Sequence, residues 1–212
     1  KIGQKIKPGE KLGFTHEGIF EHWIMAPFIL KGQVEVAKIA GKGRYNIKHL
    51  IAELKDESGN IYSVTMSQTW PVKVPIACFA EKLKPARPLT TKIRIIDTLM
   101  PIALGGTYCV PGPFGSGKTV LHQLTSRHAE SDIVIIAACG ERASEAVETL
   151  KTFPHLIDPR TNRPLSDRTV IMCNTSAMPV AARESGVYTA VTIAEYYRQM
   201  GLNVLLLADS TS

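Results

Sequence analysis

Two hydrophobic patterns divide the chain, one before residue 75 and one after residue 88. In the first, apolar positions come in short runs cut by turn residues, at Pro8-Gly9, Gly13, Gly18, Gly32, Gly41 to Gly43 and Ser58-Gly59-Asn60. Inside the runs, apolar and polar side chains alternate. In Ile61-Tyr62-Ser63-Val64-Thr65-Met66 the period of two puts Tyr62, Val64 and Met66 on one face of a strand and Ser63 and Thr65 on the other. Residues 1–75 therefore read as a small all-β domain. Between Trp70 and Pro88 stand Pro71, Pro75, Pro85 and Pro88, which resist helix and favour an extended connector, so residues 76–88 read as a linker.

From residue 89 the pattern changes to alternating strands and helices, as expected of an α/β domain built on a parallel sheet. Thr90-Thr91 read as the cap of a helix carrying Ile93, Ile96 and Leu99, and Thr107-Tyr108-Cys109-Val110 as a short buried strand. A helical pattern from Val120 runs to about His128. Ile133-Val134-Ile135-Ile136-Ala137-Ala138 is an unbroken apolar run, the mark of a strand covered on both faces, and it stops at Cys139-Gly140. A helix follows with Ala143, Ala146, Val147 and Leu150 on one side. After a proline-rich loop over residues 153–167 comes a strand over residues 169–173. Pro179 then suits the first turn of a helix bearing Val187, Val191 and Ala194, with Gly201 set to end it. Residues 204–208 are a last apolar strand, delivering Asp209 at its end.

The chemistry gathers where these strands stop. Gly112 to Thr119 reads G-x-x-x-x-G-K-T, the phosphate-binding loop pattern, between the expected strand and helix that the motif needs. Its glycines let successive backbone N–H groups turn inward toward phosphate oxygens, and the helix start adds partial positive charge. Lys118 supplies a full charge, and the Thr119 hydroxyl can ligate Mg²⁺. An apolar strand ending in Asp209 fits a carboxylate on the Mg²⁺ side, although a strand cap has the same look. Glu141, on spacing alone, reads equally as a carboxylate that positions water and as a helix-starting Glu stabilised by the helix dipole.

Composition narrows the alternatives. The net charge of +6 is carried by the first part: residues 1–87 hold 14 Lys/Arg against 8 Asp/Glu, and residues 88–212 hold 11 of each. The basic side chains are scattered at turns and strand edges without aromatic interleaving, which favours a solvated face over a nucleic-acid surface. Cys78, Cys109, Cys139 and Cys173 lie about 30 residues apart, too far for a zinc pair, and read as buried thiols. The glycine-spaced β part suits a biotin or lipoate carrier in outline, but His22-Trp23-Ile24-Met25-Ala26-Pro27 offers no lysine for a hairpin tip. No window is long and apolar enough to span a membrane. The chain does not begin with Met, which suggests a fragment or a processed start.

Taken together, Gly112-Pro113-Phe114-Gly115-Ser116-Gly117-Lys118-Thr119, Cys139-Gly140-Glu141-Arg142, Asn174-Thr175-Ser176, Met178-Pro179-Val180-Ala181-Ala182-Arg183-Glu184, Thr192-Ile193-Ala194-Glu195-Tyr196 and Ala208-Asp209-Ser210-Thr211-Ser212 resemble the catalytic A subunit of archaeal- and vacuolar-type rotary ATPases. Trp70-Pro71-Val72-Lys73-Val74-Pro75 and Ile95-Ile96-Asp97-Thr98-Leu99 match as well. Residues 1–69 resemble the extra β "bulge" region that this subunit carries. The resemblance implies an α/β, RecA-like P-loop core over residues 89–212, preceded by a small all-β bulge-like domain. It implies ATP or ADP with Mg²⁺ as ligands, held by Gly112, Pro113, Phe114, Gly115, Ser116, Gly117, Lys118, Thr119 and Val120, with Thr119 and Asp209 on the metal.

Lys118, Glu141 and Arg142 are implied as the catalytic set, Arg142 lying near the γ-phosphate or bracing Glu141. The family's partners would be B subunits alternating with A subunits in a six-membered ring, an arginine finger supplied in trans, a central rotor and a peripheral stalk. They imply ATP hydrolysis or synthesis coupled to proton or sodium transport, in the cytoplasmic head peripheral to a membrane, without nucleic acid. Ala143-Ser144 and Ala177 depart from the family's usual residues. The resemblance also implies that the adenine-binding segments lie outside the 212 residues, so the isolated chain is expected to hydrolyse ATP negligibly and bind it weakly. Another hexameric RecA-like ATPase, of a secretion apparatus or an RNA translocase, and a non-catalytic nucleotide-binding subunit are the alternative readings.

Overall fold

Pro8-Gly9, Gly18, Gly32, Gly41 to Gly43 and Ser58-Gly59-Asn60 fall between strands, whereas Gly13, expected at a turn, lies inside the strand Lys11–Glu17 at a break in its register. A computed structural model describes residues 1–79, 81–113 and 115–209, in two units, Lys1–Ala80 and Glu81–Ser212. The first unit contains β1 (Lys5–Ile6), β2 (Lys11–Glu17), β3 (Phe20–Met25), β4 (Val34–Ile39), β5 (Ala52–Lys55) and β6 (Ile61–Val64). β1, β4, β5 and β6 form an antiparallel sheet in the order β1-β4-β5-β6, and β2 pairs with β3 as a separate hairpin. Alternation does the sorting: Val34 and Val36 are buried on either side of exposed Glu35, and Ala52 and Leu54 on either side of Glu53. They join Ile6, Ile24, Leu30, Ile51 and Val64 in one core, with Met66 packed against it. Tyr62 shares that face but sits at its margin, where its hydroxyl donates to Asp56 at 3.1 Å.

The second unit opens with β7 (Pro88–Leu89) and β8 (Ile102–Ala103), an antiparallel pair enclosing α1 (Arg94–Leu99). Here the expected cap is inverted. The helix starts later than Thr91, with Ile93 at its N-cap. Asp97, reaching back from the first turn, accepts the Thr91 hydroxyl at 2.6 Å and the Thr91 and Lys92 amides at 3.0 and 2.8 Å. Asp97 thus ties the preceding loop, while Thr91 accepts the Ile93 amide at 3.2 Å.

The layered part is built from α2 (Lys118–His128), β9 (Ile133–Glu141), α3 (Ala143–Thr152), β10 (Thr169–Thr175), α4 (Val180–Gln199) and β11 (Val204–Ala208). The three strands are parallel in the order β10-β9-β11. β9 is central, and its residues from Ile133 to Gly140 are buried except half-buried Ile136. The step from β9 to β10 and the return to β11 travel in opposite directions, so right-handed crossovers require helices on opposite faces. The observed packing agrees: α4 covers one face of all three strands, and α2 and α3 flank a cavity on the other.

α4 approaches closely at Gly186, where a Cβ would run into the Asn174 amide and lie 3.3 Å from the Cys139 sulfur. Asn174 is itself fixed, donating to the Ala182 carbonyl at 2.9 Å. On α3 only Ala146 is buried, while Val147 and Leu150 are about half exposed. Both β9 and β10 run past their expected ends, and β10 pairs Thr175 with Glu141 across a register irregularity.

The strand expected at residues 107–110 is not formed. Among the described residues the sheet has three strands, and residues 102–112 face β11 across a groove of about 730 Å³. The apolar run there is only four residues long, bounded by Gly105-Gly106 and by Pro111, which has no N–H to give a ladder. Cys109 is accordingly exposed, whereas Cys139 is buried and Cys78 and Cys173 are half-buried, which corrects the expectation of uniformly buried thiols.

The far end of α2 is held by charge. Arg168, 2% exposed, donates to the Asp158 carboxylate at 2.6 Å, to the Ser126 and Arg127 carbonyls at 3.0 and 3.3 Å, and to the Ser131 hydroxyl at 3.2 Å. Burial works against charge on Asp158, which is 1% exposed, yet hydrogen bonds from Arg160 and the charges of Arg168 and Arg160 outweigh it and hold the carboxyl below its ordinary range.

Candidate active site

The loop between residues 112 and 117 ends where α2 begins. Gly117, at φ 88°, is the N-cap in the left-handed conformation that glycine adopts without penalty, so Lys118 and Thr119 become the first two helical residues. The first amides of a helix have no partner within it, which leaves this end of α2 able to hold an anion. Lys118 curls back over the loop, its ammonium donating to the carbonyls of Gly112 at 2.8 Å and Pro113 at 3.0 Å. The Ser116 amide donates to the Pro113 carbonyl at 3.2 Å and closes the turn. Gly112 has no room for a side chain, because a Cβ there would collide with the Ser116 hydroxyl. Gly112, Pro113, Gly115, Ser116 and Gly117 are exposed, as is Val120, and Phe114 lies outside the described residues.

Beneath the start of α2 is a narrow cavity of about 30 Å³. Thr119, Glu141 and Asp209 line it, from the first turn of α2, the end of β9 and the residue after β11. These are the carboxyl ends of a parallel sheet, where ligands of such sheets bind. Asp209 is fixed by its amide, which donates to the Ala137 carbonyl at 2.9 Å. Burial, then the charges of Asp209 and Glu145, push the Glu141 carboxyl above the ordinary carboxylate range. Lys118 stands in the adjoining groove, which Asp209 also lines. Arg142 is exposed at the N-cap of α3 and does not line the cavity.

Several cavity residues escaped sequence reasoning: His122, Gln123, Thr149 and Cys173, together with Glu145, whose charge reaches Glu141. Glu145 had a legible signal, since it stands four residues after Glu141 at a helix start. His122, Gln123 and Thr149 line the cavity through helix phase and Cys173 through its place on β10, neither of which periodicity aims at a site. Among the described residues no group of three or more His, Cys, Asp or Glu side chains is gathered to hold a metal, so a cation here would share its shell with ligand oxygens.

The amino-acid sequence matches two family models that together cover nearly all of it. Residues 92–212 match the nucleotide-binding domain of the ATP synthase alpha/beta family. The chain belongs to the ATP synthase alpha/beta family. Residues 1–73 match the alpha/beta subunit barrel-sandwich domain, in keeping with the antiparallel first unit. A V-type ATP synthase alpha chain of Borrelia garinii subsp. bavariensis is 59% identical over 212 residues, all of this chain and 37% of that protein. The V-type ATP synthase alpha chain 1 of Treponema pallidum is 59% identical over 211 residues, covering 36% of its length. That of Treponema denticola is 60% identical over 212 residues, again 36% of its length. The chain therefore spans a little over a third of the length of these curated relatives. The family sets the fold as a barrel-sandwich domain followed by a P-loop nucleotide-binding core. No helix among the described residues is long and apolar enough to cross a membrane.

Proposed function

We propose that this chain carries the catalytic nucleotide site of a rotary ATPase of the vacuolar and archaeal type, binding ATP or ADP with Mg²⁺ and hydrolysing or forming ATP as protons or sodium ions cross a membrane. The observation that carries the reading is the meeting of Thr119, Glu141 and Asp209 at one cavity beside the Lys118 loop. The donor set suits the ligand. A glycine-lined loop that a Cβ would fill, an ammonium and a helix start are complementary to phosphate, and one hydroxyl with one carboxylate suits Mg²⁺, which keeps waters and takes few protein ligands.

Gly112, Pro113, Phe114, Gly115, Ser116, Gly117 and Val120 belong to the segment that would wrap the phosphates, with Lys118 neutralising their charge. Thr119 and Asp209 would hold Mg²⁺. When bound, Mg²⁺ would supply positive charge to the phosphate oxygens. Glu141 accepts a hydrogen bond from the attacking water at its carboxylate and holds it in line, and a carboxyl more basic than usual does this better. Arg142 follows Glu141 and would brace it or reach the γ-phosphate. A cation complementing the open side of the site would come from a B subunit in an alternating ring, with a rotor and a peripheral stalk carrying the coupling. The site would work in the cytoplasmic head of that complex, without nucleic acid.

The test is turnover in the intact complex. Glu141→Gln should lower the hydrolysis rate by about 10²–10⁴-fold with ADP affinity retained, and Lys118→Ala should abolish nucleotide binding as well. Unchanged turnover in Glu141→Gln would leave a nucleotide-binding subunit without a catalytic role.

A further inference from the structure

Side chains along β9 alternate between two environments. Ile136 and Ala138 line the cavity, as do their neighbours Ile171 and Cys173 on β10 and Leu207 on β11. Cys139 points the other way, its sulfur 3.3 Å from where a Gly186 Cβ would stand on α4. Regular pleating would continue that alternation, turning residue 140 to the cavity and residue 141 to α4. A strand of ordinary geometry would therefore carry Glu141 away from Thr119 and Asp209.

The pairing breaks at that point. Asn174 stands opposite Cys139 and Thr175 stands opposite Glu141, so Gly140 is an extra residue on β9 with no partner on β10. Its φ is 130°, a conformation that residues with a Cβ rarely adopt. Beyond it the register is pinned again, since the Glu141 carbonyl accepts the Ser176 amide at 2.9 Å. The result is that Glu141 lines the cavity on the same side as Ile136 and Ala138.

We propose that Gly140 is a positioning residue for the phosphoryl-transfer reaction: its unpaired bulge turns Glu141 from the α4 face of the sheet to the face that holds Thr119 and Asp209. The inference rests on the reading of Glu141 as the carboxylate that positions water. A β-branched residue at 140 resists φ 130° and favours the regular ladder, sending Glu141 to the wrong side.

The experiment uses the assembled complex carrying Gly140→Val, Gly140→Ala or a deletion of Gly140, with Glu141→Gln as reference. Gly140→Val should lose about 100-fold or more in turnover, approaching Glu141→Gln, while MgADP affinity stays within about threefold because the loop at 112–119 is untouched. Removing Gly140 takes out the extra residue, and plain alternation then returns Glu141 to the cavity side. The deletion should exceed the valine variant by roughly tenfold in turnover, a rescue that a purely structural glycine would not give.

If the valine variant does not assemble, Gly140→Ala decides, with a turnover loss at retained MgADP affinity expected. Turnover of Gly140→Val or Gly140→Ala within about threefold of the unsubstituted complex overturns the inference, as does a deletion no better than valine. Should Glu141→Gln itself turn over normally, the reading of Glu141 falls first. With Glu141→Gln inactive and the Gly140 variants active, only the role of the bulge is lost.

Discussion

The Glu141 and Asp209 carboxylates line one cavity, and the charge of Asp209 adds to burial in raising the Glu141 carboxyl above its ordinary range. A carboxyl raised in the folded state binds its proton more tightly there than in the unfolded chain. Its contribution to stability is therefore fully present below the ordinary value of 4.5 and is lost as pH rises through the folded value. At pH 8 the charged Glu141 is a burden on the fold. Glu141→Gln is expected to raise the melting temperature at pH 8 by roughly 1–3 °C, a gain that shrinks toward pH 4.5. Thermal unfolding followed by circular dichroism across that range checks it, and a variant less stable at pH 8 contradicts it.

The Asp158 carboxyl is shifted in the opposite direction, with the opposite sign. Held below its ordinary 3.8, it stabilises the fold above that pH, and the contribution disappears as pH falls through the depressed folded value. Asp158→Asn takes from Arg168, 2% exposed, the carboxylate it is hydrogen-bonded to, leaving only the more distant charge of Asp132. A loss of about 3–5 kcal/mol at pH 7 is expected from urea unfolding, closing toward zero in strong acid. A loss under about 1 kcal/mol at pH 7 would mean that the remaining acceptors suffice for Arg168.

Gly186→Ala tests the seat of α4. The added methyl meets the Asn174 amide, which cannot swing away without giving up its bond to the Ala182 carbonyl, and it presses on the Cys139 sulfur. Overpacking of this kind costs about 1–3 kcal/mol, to be read from the urea midpoint at constant slope.

Exchange of backbone amides should separate the two sides of the sheet. Residues 133–139 of β9 are hydrogen-bonded within a buried central strand and should be among the slowest to exchange. Residues 107–110 have no ladder and should exchange orders of magnitude faster in the unliganded chain. Equal protection of the two segments, read by mass spectrometry, would contradict the three-stranded sheet.

Much of this architecture was legible because it follows from burial. An unbroken apolar run marked β9 as a strand buried on both faces, and Pro179 and Gly201 marked the ends of α4. The failures are local. Residues 107–110 have strand-like side chains, but flanking glycines and a proline weaken the backbone pairing that composition alone suggests. Thr91 looked like a cap because its type suits one, while the group that organises the turn, Asp97, lies downstream. The sequence placed Thr119, Glu141 and Asp209 together at the strand ends, and all three line one cavity; the extra residue at Gly140 is what a period of two does not anticipate.

The outer edge of β11 carries a further consequence. Val204, Leu205, Leu206 and Leu207 are bonded to β9 on one side only, and across the groove no described strand completes the other. An apolar strand with a bare row of amides and carbonyls is a template for any chain of matching register, including another copy of itself. Whatever adds a strand there also removes one invitation to aggregate. Solubility and completion of the nucleotide-binding sheet are thus one physical problem, settled at the same edge.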